Sequence, residues 1–263
     1  MKKKLIIAFS IIFAFLFSFI LITASGISQL SNETILYLFL DETKGEPGTI
    51  EVASLALYEN FTLKQDLIKV NPLSSTDTLK KEGISISDSL IKAKTLQEGL
   101  SYAKTIAETE TFTSIDRIVL IDSSAFNTMI EAVHPVPINK QFTVEVLDRT
   151  FDLSSRTRVT GEQAQQCIRG LEYPGIDNEE LMQFPEDYLW EVKAEIINTV
   201  GNKVLDFDTY TKKEQQVLAS VLLDLYKEDK IFVYQRNTVL TMVYYLPKSI
   251  SKQIVNFAVR RIA

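Results

Sequence analysis

The N-terminus of the chain carries a long run of uncharged, mostly apolar residues directly after three lysines. The run extends from Leu5 to Asn32, and its most apolar part, Leu5 to Ala24, is 20 residues long. In a helix that rises about 1.5 Å per residue, this part spans about 30 Å, the hydrocarbon thickness of a bilayer. Because the lysines precede the run and no basic residue follows it closely, we expect residues 1–4 in the cytoplasm and a transmembrane helix over residues 5–27.

A cleaved signal peptide is the alternative interpretation of the same run. Ala24-Ser25-Gly26 offers the small residues of a cleavage site. The apolar part of a signal peptide is usually about 7–15 residues, shorter than this run, so an uncleaved anchor fits better. Both interpretations place the rest of the chain outside the cytoplasm.

The exported part is acidic and contains a single cysteine. The whole chain has a formal net charge of -6, and it is more acidic still without the three N-terminal lysines. Nucleic-acid binding needs a basic face, so we expect no nucleic-acid partner. The single cysteine, Cys167, excludes an intramolecular disulfide, so stability must come from the apolar core. About 230 residues follow the apolar run, enough for one sizeable domain with or without an appendage.

Segments with strand and helix periodicity alternate along the exported part. Ser31 to Leu40 and Thr49 to Tyr58 are strand patterns on either side of a turn cluster, and they predict a hairpin. The remaining patterns predict helices over Ser89 to Glu108, Ser123 to Val133, Thr160 to Arg169, Tyr188 to Val200 and Thr211 to Asp229, strands over Phe61 to Val70, Arg117 to Ile121, Phe142 to Leu147 and Ile231 to Tyr234, and two short helices around Pro247. We expect a layered α/β domain over residues 31–205 and a helical C-terminal extension over residues 206–263.

Two segments resemble motifs of the LytR-CpsA-Psr family of cell-envelope phosphotransferases. One family motif contains two pairs of a hydrophobic residue and an aspartate, followed by a phenylalanine and a final isoleucine-aspartate pair. Its counterparts in this chain are Ile115-Asp116, Ile121-Asp122, Phe126 and Ile130-Glu131. Val159 to Arg169 is similar to the family's L-x-G-E-x-A-L-x-Y-h-R segment. The resemblance covers roughly Ser31 to Val200 and implies α/β/α layers around a mixed sheet. A related bacterial and archaeal domain of unknown function shares this layout.

The resemblance also implies a function. Members of the family are typically anchored by one N-terminal helix and pass a glycopolymer from a polyprenyl-pyrophosphate carrier to the cell wall. Arginines and aspartates hold the diphosphate, usually with Mg²⁺, because phosphoryl transfer needs positive charge where negative charge accumulates.

This chain departs from the family pattern at most of its arginines. Leu171 stands where the family has a second arginine, Ala56-Leu57-Tyr58 lacks the arginine of the family's P-R-D strand end, and Asp177 to Gln183 is acidic. We therefore expect a membrane-anchored envelope protein that is non-catalytic or binds lipid-linked envelope precursors. The alternative is a divergent phosphotransferase acting on such a carrier, and Mg²⁺ is expected only in that case.

Five residues are candidates for ligand binding: Arg169, Arg158, Arg156, Glu33 and Asp41. Arg169 matches a family arginine, although a solvated arginine is also favourable at the end of a helix. Arg156 and Arg158 alternate and would share one face of a strand, where surface charge is the simpler interpretation. Glu33 and Asp41 lie at opposite ends of the first predicted strand, and either Glu33 or Asp41 would be a metal ligand of a phosphotransferase.

Other signatures of catalysis are missing from the sequence. His134 is the single histidine, so neither a zinc site nor a Ser-His-Asp triad is predicted, and no catalytic residue is assigned. Phosphate-loop and dinucleotide-binding motifs do not occur. The apolar residues of Thr211 to Ala263 either pack on the main domain or form a docking surface for a partner.

Overall fold

The computed structural model describes residues 33–59, 62–133, 135–144, 149–182, 185, 188–205, 209–236 and 238–262. The predicted transmembrane helix and His134 lie outside the described residues. Within the described ranges, no helix is both long enough and apolar enough to cross a bilayer.

A mixed six-stranded sheet forms the centre of the molecule. Its middle strand, β1 (Thr34–Asp41), pairs antiparallel with β2 (Thr49–Glu59) and parallel with β5 (Arg117–Asp122). The outer strands are β3 (Thr62–Leu63) and β4 (Ile68–Val70), which pair with β2, and β8 (Ile231–Tyr234), which pairs antiparallel with β5. The hairpin predicted for the first two strands is confirmed, as are the strands predicted over Arg117 to Ile121 and Ile231 to Tyr234.

The middle strand is buried on both faces, which explains its nearly unbroken apolar sequence. Leu36, Leu38 and Leu40 belong to one core cluster, whereas Tyr37 and Phe39 belong to the other. This alternation follows from the two-residue period of a strand. Each face of the sheet therefore has its own core.

Helices cover both faces of the sheet. The face of Leu36 is covered by α1 (Asp77–Lys81), α2 (Ser89–Lys92) and α3 (Leu96–Thr111). The face of Phe39 is covered by α4 (Ser123–Val133), α5 (Gly161–Ile168), α7 (Leu189–Leu205) and α8 (Lys212–Lys227), with the short α6 (Asn178–Leu181) between α5 and α7. The predicted α/β/α arrangement with a mixed sheet is confirmed.

The helix predicted over Ser89 to Glu108 is wrong in one respect, because α2 and α3 are separate. Thr95 has extended backbone angles and caps α3, since its hydroxyl accepts a hydrogen bond from the backbone N–H of Glu98. The Glu98 carboxylate in turn accepts from the backbone N–H of Lys94. This cap starts a new helix where the apolar spacing alone predicts continuity.

A second departure is the hairpin of β6 (Val136–Val144) and β7 (Arg149–Val159), which forms a separate two-stranded sheet. The sequence predicts a strand only over Phe142 to Leu147, because Pro135 and Pro137 indicate a break. Pro137 instead lies within β6, opposite Arg158. Both strands of a two-stranded sheet are edges, where a proline can be accommodated.

The C-terminal part is joined to the central sheet. Its strand β8 pairs with β5, and α8 packs against α4. Two helices, α9 (Thr238–Tyr245) and α10 (Lys248–Ile262), follow on either side of Pro247 as predicted, and α10 packs on α8. The division of the chain at residue 206 stays a prediction.

Candidate functional site

The neighbouring parallel strands β1 and β5 end at the same edge of the sheet. Leu40 lies opposite Asp122 in their register, so Asp41 and Glu42 emerge beside Asp122 and Ser123. In open α/β sheets, ligands bind at the carboxyl ends of the strands. This edge of the sheet is therefore a candidate ligand-binding site.

Helix α5 brings a cation to this edge. The helix begins with a capping box, in which the Thr160 hydroxyl accepts from the backbone N–H of Gln163 and the Gln163 side chain accepts from the backbone N–H of Thr160. Its first residue, Gly161, lies so close to α4 that an added Cβ would be 2.2 Å from Asn127 Oδ1. The start of α5 is thus fixed against α4, whose own first residue is Ser123.

The end of α5 fixes Arg169. Gly170 has a positive φ of 73°, and the backbone N–H groups of Gly170 and Leu171 donate to the carbonyls of Cys167 and Gln166. This is the Schellman arrangement, which ends a helix at a defined residue. Arg169 is the last residue before the left-handed glycine, and its side chain reaches the ends of β1 and β5.

The Arg169 guanidinium is held by three side chains. Its Nη2 donates to Glu42 Oε1 at 2.6 Å, and its Nε donates to Ser123 Oγ at 3.0 Å. Asp41 Oδ1 lies 3.9 Å from the same Nε. The other oxygen of Glu42 accepts from the backbone N–H of Ser123 at 3.1 Å and from its hydroxyl at 2.7 Å.

Two lysines extend this group across the start of β2. Glu51 accepts from Lys193 Nζ at 2.6 Å and from Lys44 Nζ at 2.8 Å, and Lys44 Nζ lies 3.7 Å from Asp41 Oδ2. We call the resulting network of Asp41, Glu42, Lys44, Glu51, Lys193 and Arg169 the strand-end cluster. It contains three cations and three carboxylates, so its formal charge is balanced.

The electrostatics of the cluster favour the charged form of its members. Burial raises the pKa of Glu42, but hydrogen bonds from its backbone, from Ser123 and from Arg169 outweigh burial and leave that pKa lowered. Glu51 behaves likewise, because attraction to Lys193 and then Lys44 outweighs burial and lowers its pKa. These carboxylates therefore stay ionised near neutral pH.

Asp122 is the exception at this edge. Burial, followed by repulsion from Glu42, raises its pKa from 3.8 to about 6, although Lys230 partly offsets the effect. Its carboxyl group therefore titrates closer to neutral pH than an ordinary aspartate does. An ionised Glu42 is one cause of this, which ties Asp122 electrostatically to the strand-end cluster.

The structure brings two of the five candidate residues together. Arg169 and Asp41 belong to the strand-end cluster, whereas Glu33 precedes the opposite end of β1, about 26 Å away at about 3.3 Å per residue. The Glu33 carboxylate is held by Arg117, with Nη2 to Oε1 at 2.6 Å and Nε to Oε2 at 3.0 Å. Arg158 is exposed on β7, and the side chain of Arg156 lies outside the described part of the chain.

The predicted metal ligands do not fit a Mg²⁺ ion as they are arranged. Asp41 Oδ1 accepts hydrogen bonds from the Thr43 backbone N–H at 3.0 Å and from the Thr43 hydroxyl at 2.6 Å, and two cations lie nearby. Glu33 is occupied by Arg117. Among the described residues, no group of three or more His, Cys, Asp or Glu side chains is arranged to hold a metal ion.

Sequence reasoning missed four members of the cluster and Ser123, which bonds to it. Lys193 had a visible signal: it lies among Leu189, Val192, Ile196 and Ile197, on the apolar face of its helix, where a lysine needs a partner. No sequence signal marks the other three residues, Lys44, Glu42 and Glu51, because charged residues are common in turns and at strand ends on a protein surface. Their grouping depends on contacts across more than 100 residues of chain, such as Lys193 with Glu51.

Comparison with solved structures assigns the fold. A LytR-Csp2A-Psr enzyme from Actinomyces oris superposes with a TM-score of 0.50 and 14% sequence identity, covering 88% of this chain and 78% of that one. This chain has the LytR-CpsA-Psr fold. The LytR-CpsA-Psr-like domain is also similar to B. subtilis TagV, with a TM-score of 0.47, 12% identity and 86% and 80% of the two chains covered. A putative transcription regulator from Eubacterium siraeum matches with a TM-score of 0.48, 13% identity and 88% and 78% covered. No protein-family model and no curated protein matches the chain.

Proposed function

We propose that this protein is a membrane-anchored, extracytoplasmic, LytR-CpsA-Psr-like protein of the cell envelope that binds the diphosphate of lipid-linked envelope precursors without transferring it. The N-terminal apolar run supports the anchor, and the fold supports the family-like domain. The strand-end cluster supplies the binding site.

The observation that carries the proposal is the convergence of Arg169, Lys44 and Lys193 at the carboxyl ends of the parallel strands. Arginine offers planar, paired donors to phosphate oxygens, and lysine offers a compact charge. The first turn of α4 adds the backbone N–H of Ser123 at a helix N-terminus, where anions are favoured. Few other groups suit an anion with several phosphate oxygens as well as these do.

The charge balance of the cluster supports binding rather than transfer. A phosphoryl transfer needs net positive charge where negative charge develops in the transition state. Here every cation of the cluster already lies beside a carboxylate: Arg169 beside Glu42, Lys193 beside Glu51, and Lys44 beside both Glu51 and Asp41. A bound diphosphate would share these cations with the carboxylates and would gain little extra stabilisation as its charge rises.

The proposal is tested by binding of a soluble polyprenyl diphosphate to the full chain in detergent micelles. We expect wild type to bind, Arg169→Ala to lose at least tenfold in affinity, and Arg158→Ala to bind like wild type. Arg158→Ala is the matched control, because it removes the same charge from an exposed strand position. Equal affinities of wild type and Arg169→Ala would exclude this site.

The divergent phosphotransferase is the alternative, favoured by the nearness of Arg169 to Asp41 at 3.9 Å. A glycan-loaded polyprenyl diphosphate mixed with cell-wall glycan as the acceptor separates the two functions. In transfer, an acceptor hydroxyl takes the glycan phosphate and polyprenyl monophosphate is released, whereas binding alone releases nothing. We expect wild type to release no more lipid phosphate than Arg169→Ala does.

The extracytoplasmic location is tested by protease treatment of intact spheroplasts, which should digest the domain but spare a cytoplasmic marker.

A further inference from the structure

We propose that Glu42 is a built-in ligand of the anion site: its carboxylate occupies the position that a phosphate group takes, and an incoming phosphate must displace it. This inference rests on the proposed function, since it concerns how the same site is occupied before its ligand arrives.

Three donors of different kinds converge on the Glu42 carboxylate. They are the Arg169 guanidinium at 2.6 Å, the Ser123 hydroxyl at 2.7 Å and the backbone N–H of Ser123 at 3.1 Å. A guanidinium, a hydroxyl and a helix N-terminus are the donors with which proteins bind phosphate. The site is therefore complete as an anion site, and the anion that fills it is part of the chain.

Glu42 can leave without disturbing the sheet. It is the first residue after β1, in the turn that leads to β2, and its side chain is 27% exposed. Rotation about its side-chain bonds would carry the carboxylate into water while Asp41 keeps its own hydrogen bonds to Thr43. The backbone of Arg169, by contrast, is fixed by the Schellman end of α5, and its Nε keeps the hydrogen bond to Ser123 Oγ when Glu42 leaves.

The exchange selects for phosphate over weaker anions. A single carboxylate that enters the site gains only the contacts that Glu42 gives up, so the exchange has little net free energy in its favour. A phosphate or diphosphate brings more charge and more acceptor oxygens, and it can reach the lysines of the cluster as well as Arg169. Competition from Glu42 thus weakens the binding of carboxylates more than that of ligands with several phosphate oxygens.

The direct test is calorimetric titration of the full chain, in detergent micelles at pH 7.5 and low salt, with inorganic pyrophosphate. Glu42→Gln keeps the size of the side chain and removes its charge. We expect it to bind pyrophosphate about tenfold more tightly than wild type, which corresponds to about 1.4 kcal/mol. Glu42→Ala should show the same direction, and it guards against an effect peculiar to glutamine.

Two controls isolate the role of Glu42. Glu162→Gln removes the same charge from an exposed position on α5, so it should bind like wild type. In the double variant Glu42→Gln/Arg169→Ala, the gain should vanish, because it depends on the guanidinium that Glu42 releases.

The outcomes separate this inference from the proposed function. If wild type binds, Arg169→Ala weakens binding and Glu42→Gln changes nothing, the anion site stands and Glu42 is not its competitor. An equal gain from Glu162→Gln, or a gain that survives loss of Arg169, also overturns the inference. If neither wild type nor Glu42→Gln binds pyrophosphate, both the inference and the anion site are refuted.

Discussion

Removing one partner of the ion pair between Glu33 and Arg117 is expected to destabilise the fold strongly without affecting ligand binding. Both side chains are only 7% exposed, and the pair is bidentate, with distances of 2.6 and 3.0 Å. Arg117 also donates to the backbone carbonyl of Gln235, so it ties β1 to the end of β8. Glu33→Gln leaves the buried guanidinium without a counter-charge.

The expected loss is large because the pair is desolvated. Removing one partner of a buried ion pair destabilises a protein by about 3–5 kcal/mol, against a total stability of about 5–15 kcal/mol. For a chain of this size, each kcal/mol lowers Tm by about 2–4 °C, so Glu33→Gln should unfold about 6–20 °C below wild type. Pyrophosphate affinity of the folded variant should not change, since Glu33 lies far from the strand-end cluster.

The assay is thermal and denaturant unfolding of wild type, Glu33→Gln and a matched control. Glu59→Gln removes the same charge from a pair with Lys64 whose members are 57% and 62% exposed and 3.5 Å apart. Exposed pairs contribute at most about 1 kcal/mol, so the control should stay close to wild type. If Glu33→Gln lost no more stability than Glu59→Gln, or if it weakened pyrophosphate binding severalfold, the structural role of Glu33 would be refuted.

Three further changes have defined outcomes. Asp122→Asn should stabilise the fold by about 1 kcal/mol at pH 7.5. The pKa of Asp122 is raised from 3.8 to about 6 in the folded state, so ionised Asp122 destabilises the folded protein, and this cost is complete above pH 6. The side chain is half-exposed, which reduces the cost. The gain should shrink as the pH falls from 6 to 4. Thr160→Ala breaks the capping box of α5 and should lose about 1 kcal/mol in urea unfolding. Gly161→Ala should lose about 1–3 kcal/mol by the same assay, because the new Cβ would meet Asn127 Oδ1 at 2.2 Å.

Each of these predictions has a contradicting result. A gain from Asp122→Asn that is the same at pH 4 and pH 7.5 would show that titration of this carboxyl does not cause it. An unchanged free energy of unfolding in Thr160→Ala would mean that the cap of α5 does not stabilise the fold. An unchanged free energy of unfolding in Gly161→Ala would mean that α4 and α5 can move apart at no cost.

The parts of the fold that the sequence predicts are those fixed by local pattern. β1 and β5 are recognisable because they are buried on both faces and need continuous apolar residues. Thr160 is recognisable as a cap because its partner lies three residues away. Local spacing cannot show that a cap at Thr95 divides two helices whose apolar faces continue one another.

The candidate site was less predictable because tertiary pairing assembles it. The family resemblance indicates Arg169, and its position at a strand end indicates Asp41. No local sequence pattern indicates that the carboxylate of Glu42, in the turn after β1, forms an ion pair with the Arg169 guanidinium. Lys193 was the one overlooked residue with a signal, since a lysine on an apolar helix face needs a buried partner. That partner, Glu51, comes from a strand more than 100 residues earlier.

A structure of the full chain in complex with a polyprenyl diphosphate would locate both the bound diphosphate and the Glu42 side chain. We expect the diphosphate at the carboxyl ends of β1 and β5, with phosphate oxygens within hydrogen-bond distance of Arg169 and of the Ser123 backbone N–H, and with Glu42 turned out toward solvent. A diphosphate bound elsewhere, with the Arg169–Glu42 pair intact, would contradict this expectation.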